Sequence, residues 1–228
     1  MSSIKEKKIK GNSNFTSLDK LKDFLEVLEK CVCKIITNSG SGSGFFCKLN
    51  IGEFNSIQRP FLMTNNHVIN ANYLNSQNFI KIEINKKEKI LNLNERIKIT
   101  DPQKDFTVIE IKHYDKIFDF LEVSPYILDT NHKETLIDKD IIIPQFPGGI
   151  ELSVAFGSIS KFDANNIYYT VSTDYGSSGS PILLLDNLTI VGLHKQRELS
   201  SNENSGTFIL NILQCIEENR NLKNINML

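Results

Sequence analysis

Residues 173–184 read "TDYGSSGSPILL", a run of small, turn-forming residues that passes directly into an apolar strand. Two adjacent serines, Ser177 and Ser178, stand between Gly176 and Gly179 at the mouth of that strand. A surface turn explains such a composition, because glycine supplies unusual backbone angles and serine supplies local hydrogen bonds. A loop that holds a nucleophile beside its own backbone amides explains it equally well. A serine hydroxyl, however, is a poor nucleophile without a base to take its proton and an acid to orient that base. The rest of the chain decides between the two.

The search for a base is short, since the sequence holds only 4 histidines. His113 and His132 lie in a polar stretch and read as surface residues. His67 follows an apolar run in "FLMTNNHVI", residues 61–69, and His194 lies in "IVGLH", residues 190–194, just after the serine loop. For the acid, "DPQKDFTVIEI" offers two candidates. Asp105 opens an apolar strand, which would anchor its backbone while its carboxylate meets an imidazole. Asp101 precedes Pro102 and reads as the start of a turn. The order His67, Asp105, Ser178 is one of several in which this chemistry occurs on unrelated folds. An α/β-hydrolase elbow is excluded because Ser180 occupies the place of its second glycine. That fold also needs acid and histidine well downstream of the nucleophile, where little chain remains.

Bulk properties narrow the partners. The chain has 228 residues, 40% of them hydrophobic and 23% charged, which suits a soluble globular protein. A formal net charge of −1 argues against nucleic acid as a partner. The lysine clusters "KEKKIK" (5–10) and "INKKEKI" (84–90) read as a solvated tail and a solvated strand end. No apolar run suits a signal peptide or a membrane span. The 4 cysteines, Cys31, Cys33, Cys47 and Cys215, lack the spacing of a zinc site or a redox pair. Reduced, buried thiols in a cytoplasmic protein are therefore expected, with no metal and no cofactor.

Along the chain, residues 1–15 read as a loosely attached tail, and "SLDKLKDFLEVLEK" (17–30) as an amphipathic helix capped by Ser17. Short β-rich runs follow, several alternating apolar and charged residues, as in "FIKIEI". Expected domains are a tail and helix over 1–30, a first barrel over 31–115, a connection over 116–137, and a second barrel with a short C-terminal helix over 138–228. The fold class is all-β, two antiparallel six-stranded barrels with a helix at each end.

The motif blocks "TNNHVI", "DFTVIEI" and "GSSGSP", preceded by the glycine-rich "GSGFF", resemble those of the chymotrypsin/trypsin-like serine proteases. The resemblance runs from about residue 30 to residue 215. It implies a serine endopeptidase with catalytic His67, Asp105 and Ser178, an oxyanion hole from the amides of Gly176 and Ser178, and a protein or peptide substrate. Ser177 takes the place of the aspartate that pairs with a freed N-terminus in trypsin-like zymogens, so that activation is not implied. "YTVSTDYGSSGSP" followed by "IVGLH" is similar to the pattern of the bacterial glutamyl endopeptidases. By that likeness Thr173 and His194 would line the primary specificity pocket and bind Glu or Gln. A neutral His194 would suit Gln and a protonated one Glu, and the alternative for His194 is a strand histidine satisfied by backbone.

Three other readings compete. A protease fold that has lost catalysis would act as a binding module, although the intact triad residues argue against it. A quality-control protease resembling the high-temperature-requirement family would need a peptide-binding domain for which the chain after the second barrel is too short. A compact protease with a helical extension also suits an effector that cuts one partner in a stress or defence response.

Overall fold

In the computed structural model, residues 17–50, 58–127, 130–198 and 201–225 are described. The expected tail over residues 1–15 lies outside them, as does the side chain of His132. Helix α1 (Leu18–Cys31) begins at Ser17, whose hydroxyl accepts the Lys20 amide and so satisfies one of the unpaired donors of the first turn. Its amphipathic stripe is only partly used. Leu28 and Cys31 are buried against the core, whereas Leu18 keeps 76% of its surface exposed and Leu25 keeps 39%.

Two antiparallel sheets follow. The first takes β1 (Val32–Thr37), β2 (Gly40–Asn50), β3 (Gln58–Thr64), β4 (Phe79–Ile84), β5 (Lys87–Asn92), β6 (Lys98–Asp101) and β7 (Phe106–Glu110), with the short helix α2 (Ala71–Ser76) between β3 and β4. Its strand order is β5-β4-β1-β2-β3-β7-β6. The edge strands β5 and β6 are consecutive in the chain, so residues 93–97 draw the two edges toward each other without closing the ladder. The second sheet comprises β8 (Asp140–Gln145), β9 (Ser153–Phe162), β10 (Asn166–Thr170), β11 (Pro181–Leu184), β12 (Ile190–Arg197) and β13 (Asn204–Phe208), and it closes as a barrel of six strands. Helix α3 (Ile209–Ile225) ends the described chain.

The class is the all-β one expected, with one closed barrel and one half-barrel. The seventh strand of the first sheet is β5, in the segment read from sequence as a solvated lysine cluster. Asn85 and Lys86 both adopt positive φ (47° and 58°), the backbone of a two-residue hairpin turn, and the lysines continue as an edge strand paired to β4. At the C-terminal end, "GTFILNI" (206–212) reads from sequence as strand and "NILQ" (from 211) onward as helix, but the strand stops at Phe208 and Ile209 already starts α3.

The central strands β2, β3 and β7 of the first sheet are buried on both faces, which explains their unbroken apolar runs, whereas the edge strand β5 is largely exposed. Cys33, Ile35, Phe46, Leu62, Ile80, Ile82 and Ile109 fill the inner core of the sheet. Their strand neighbours Val32, Phe45, Cys47, Phe61, Met63, Phe106 and Val108 point the other way, into a core shared with Ile141–Ile143, Ile182–Leu184 and Ile190 of the barrel. Each large side chain so buried stabilises the fold by about 1.5–3 kcal/mol relative to exposure. The connecting segment laces both sheets together. Leu121 exchanges backbone hydrogen bonds with Phe46 and Lys48, while Glu122 and Ser124 bond to Ile190. Asp115 at its start grips the buried Arg96 guanidinium through two bonds of 2.8 and 2.9 Å.

Candidate active site

The junction between the sheets brings together residues distant in sequence. His67 sits in the turn after β3, and Asp105 at the entry to β7, the strand paired to β3. This pairing carries the Asp105 carboxylate to the histidine. Oδ1 accepts the His67 backbone amide at 3.0 Å, and Oδ2 lies 2.8 Å from ring Nδ1. Asn65 donates to the Asp105 carbonyl at 2.9 Å, and Asp105 itself holds a left-handed backbone with φ 53°. A non-glycine residue in that region is uncommon, and the surrounding hydrogen bonds maintain it here. Asp101 has different partners. Its Oδ1 accepts the amides of Gln103 and Lys104, both at 2.8 Å, so it caps the turn before β7.

The 176–181 loop crosses from the barrel toward His67. Gly176 and Gly179 adopt φ of 87° and 92°, angles that glycine alone reaches easily. Space demands glycine as well. A Cβ on Gly176 would lie 2.5 Å from the Phe146 carbonyl oxygen, and one on Gly179 would meet the Ser43 carbonyl oxygen. The loop amides divide into two groups. Those of Ser177, Gly179 and Ser180 bond to Asp174, His194 and Ser177 carbonyls. Among the described residues, the amides of Gly176 and Ser178 meet no acceptor.

Ser177 and Ser178 differ in their surroundings. Ser177 is fully buried, and its Oγ accepts the Asp174 amide at 3.1 Å, which tightens the loop. Ser178 is partly exposed and lines a pocket of about 210 Å³ together with His67, Val68, Tyr175 and Gly176. Its Oγ donates to the Lys195 carbonyl at 3.0 Å; no hydrogen bond joins it to His67.

Thr173 and His194 do not line that pocket and share no hydrogen bond. Thr173 donates to Asn204 Oδ1 at 3.0 Å. His194 is 2% exposed, and its Nδ1 makes a short hydrogen bond to the Tyr169 hydroxyl. Burial, with a smaller contribution from the charge of His67, pushes the His194 imidazole down to about 3. Lys195 turns its side chain to Asn166 Oδ1 at 3.1 Å. Sequence reasoning missed Ser43, whose hydroxyl donates to the Gly176 carbonyl and accepts the Phe146 amide. It lies within the quoted "GSGFF" block, so the signal was present. Tyr169, fully buried, had no comparable signal.

A closed barrel and a half-barrel that meet along such a cleft define a chymotrypsin-fold hydrolase. The family model described as a trypsin-like peptidase domain matches residues 42–193, and the chain belongs to that family. Family and fold together make it a serine endopeptidase. No curated protein matches the sequence. Among solved structures, the Rv3671c protease of M. tuberculosis in an inactive form is similar at 15% identity over 90% of this chain and 98% of that one, with a TM-score of 0.63. A serine endoprotease from Yersinia pestis is 16% identical over 90% of this chain and 68% of its own, with a TM-score of 0.60. A Glu endopeptidase is 21% identical over 79% of this chain and 85% of its own, with a TM-score of 0.56. At these identities the likeness is one of fold. No helix among the described residues is long and apolar enough to cross a membrane.

Proposed function

We propose that His67, Asp105 and Ser178 form the catalytic triad of a cytoplasmic endopeptidase that cleaves after Gln or Glu. The observation that carries this reading is the double hold of Asp105 on His67. With Nδ1–H donated to Oδ2, the ring presents Nε2 as a free base toward the pocket that it shares with Ser178. Ser178 Oγ then leaves the Lys195 carbonyl and attacks the substrate carbonyl carbon as its proton passes to Nε2. The oxyanion so formed takes the free amides of Gly176 and Ser178. The proton goes on to the leaving amine, and water attacks the acyl-enzyme by the same base to release the acid.

The specificity reading rests on His194. The Tyr169 hydroxyl lies at the margin of bonding to the Ser205 carbonyl, 3.5 Å away, so its proton goes to the nearer His194 Nδ1. Nε2 then carries a hydrogen and donates as a neutral group. A neutral donor suits an amide oxygen better than a carboxylate, because a buried carboxylate needs a compensating charge. Gln is therefore placed ahead of Glu. The cytoplasmic assignment is supported by the cysteines, all of them buried and unpaired.

A binding module without catalysis is the second reading, and the parked Ser178 hydroxyl favours it. Labelling with a fluorophosphonate separates the two. Wild type and Ser177→Ala should label, and Ser178→Ala should not, with peptide hydrolysis falling by several orders of magnitude. No labelling of wild type would leave the binding module standing.

A further inference from the structure

A trans peptide directs its carbonyl and its N–H to opposite sides. Whatever holds the Tyr175 carbonyl therefore sets the direction of the Gly176 N–H, one of the two amides assigned above to the oxyanion. That holder is the amide of Gly148, at 2.6 Å. Gly148 and Gly149 both adopt left-handed angles (φ 66° and 68°) in the turn Pro147–Gly149, which the Gly149 amide closes onto the Phe146 carbonyl at 2.9 Å. The turn thus acts as a clamp on the loop.

The clamp needs an anchor of its own. Beyond it, the Ile150 carbonyl accepts Lys34 Nζ at 3.3 Å. The same ammonium lies 2.9 Å from Glu83 and 5.8 Å from the centre of the Phe146 ring. Its side chain keeps only 12% exposure, and Glu83 keeps 24%. Glu83 and Ile150 face a cleft of about 540 Å³ between α1 and residues 146–154. Lys34 is fixed on β1, whose partners β2 and β4 hold it from both sides. A rigid strand of the first sheet thereby reaches across to the turn that grips the nucleophile loop. Ser177 is neutral and, among the described residues, bonds only within its own turn.

We propose that Lys34 is a positioning residue for this protease: through Ile150 and the 147–149 turn it holds the Tyr175–Gly176 peptide in the orientation that presents the Gly176 N–H to the oxyanion. This rests on the reading of Gly176 and Ser178 as the oxyanion site. Removing one oxyanion donor outright costs about 10²–10³ in rate, so a displaced donor should cost less, ~10–100-fold.

The test compares wild type, Lys34→Met and Lys34→Arg in the full chain. Each is assayed for kcat and KM on a peptide, and for affinity toward a peptidyl boronate carrying the side chain that a peptide library selects. Boronate affinity is scored against that of the same peptide without boron. Lys34→Met should lose ~10–100-fold in kcat and in the boronate margin with KM within about twofold, and Lys34→Arg should recover most of the loss. Should Lys34→Met fold poorly, Lys34→Met/Glu83→Met removes both charges together and should show the same kcat loss. A wild-type boronate margin left intact in these variants overturns the role of Lys34 alone. A wild type that prefers no boronate overturns the oxyanion reading, and the role of Lys34 with it.

Discussion

On the proposed assignment, the environment of His194 bears on two chemistries that the sequence left open. A histidine beside a specificity pocket accommodates Gln when neutral and Glu when charged. Its titration in the folded chain falls to about 3 from an ordinary value of 6.5, because burial disfavours the imidazolium. The ring is therefore neutral across the pH range in which the enzyme is assayed. On the proposed assignment, a peptide library profiled at pH 5.5 and again at pH 8.5 should return the same Gln-over-Glu ratio. A ratio that swings toward Glu at the lower pH would mean that His194 charges in the working range. Retained selectivity in His194→Ala would remove the residue from recognition altogether.

The nucleophile loop is built from contacts between elements, and its glycines differ in what they tolerate. A Cβ on Gly179 would collide with the Ser43 carbonyl of β2 and lie 2.5 Å from Thr64 Oγ1 of β3, at a φ of 92°. Neither neighbour is the free end of a flexible chain. Gly148 has a similar handedness, but the nearest atom to its Cβ is Ile150 Cδ1 at 3.4 Å, which is ordinary contact. Gly179→Ala should therefore cost ~3 kcal/mol or more, and Gly148→Ala only about 1 kcal/mol, in urea denaturation. Equal costs would mean that steric fit does not govern the loop. The same elements show what a sequence reveals. The blocks around His67, Asp105 and Ser178 were legible because each is local: a turn, a strand entry, a glycine loop. The clamp was not, because Gly148 and Tyr175 meet through backbone groups that leave no mark on side-chain pattern. β5 escaped for another reason: an edge strand carries lysines on purpose, and "NKKEK" has the composition of a solvated turn.

Across the whole molecule, the two sheets share one hydrophobic core and are laced by one connecting segment, so neither can open alone without exposing apolar surface from both. The Arg96–Asp115 pair pins the start of that segment, with side chains 0% and 3% exposed. Removing one member of such a pair leaves a buried charge without compensation, at a cost of ~3–5 kcal/mol. Arg96→Met should shift the entire urea transition by that amount while keeping it a single transition. A second transition appearing in the variant would show that the sheets unfold separately.

The cysteines described as buried and unpaired have a consequence at the bench. A thiol attacks an alkylating reagent as its thiolate, and burial holds Cys31 up at about 12 and raises Cys33 and Cys47 further. Cys215 shifts in the same direction, by burial and by its hydrogen bond to Asp101. Iodoacetamide, added to an extract to silence thiol-dependent proteases, finds no ready nucleophile among these four. The peptidase activity that survives such treatment is the fraction in which to look for this enzyme.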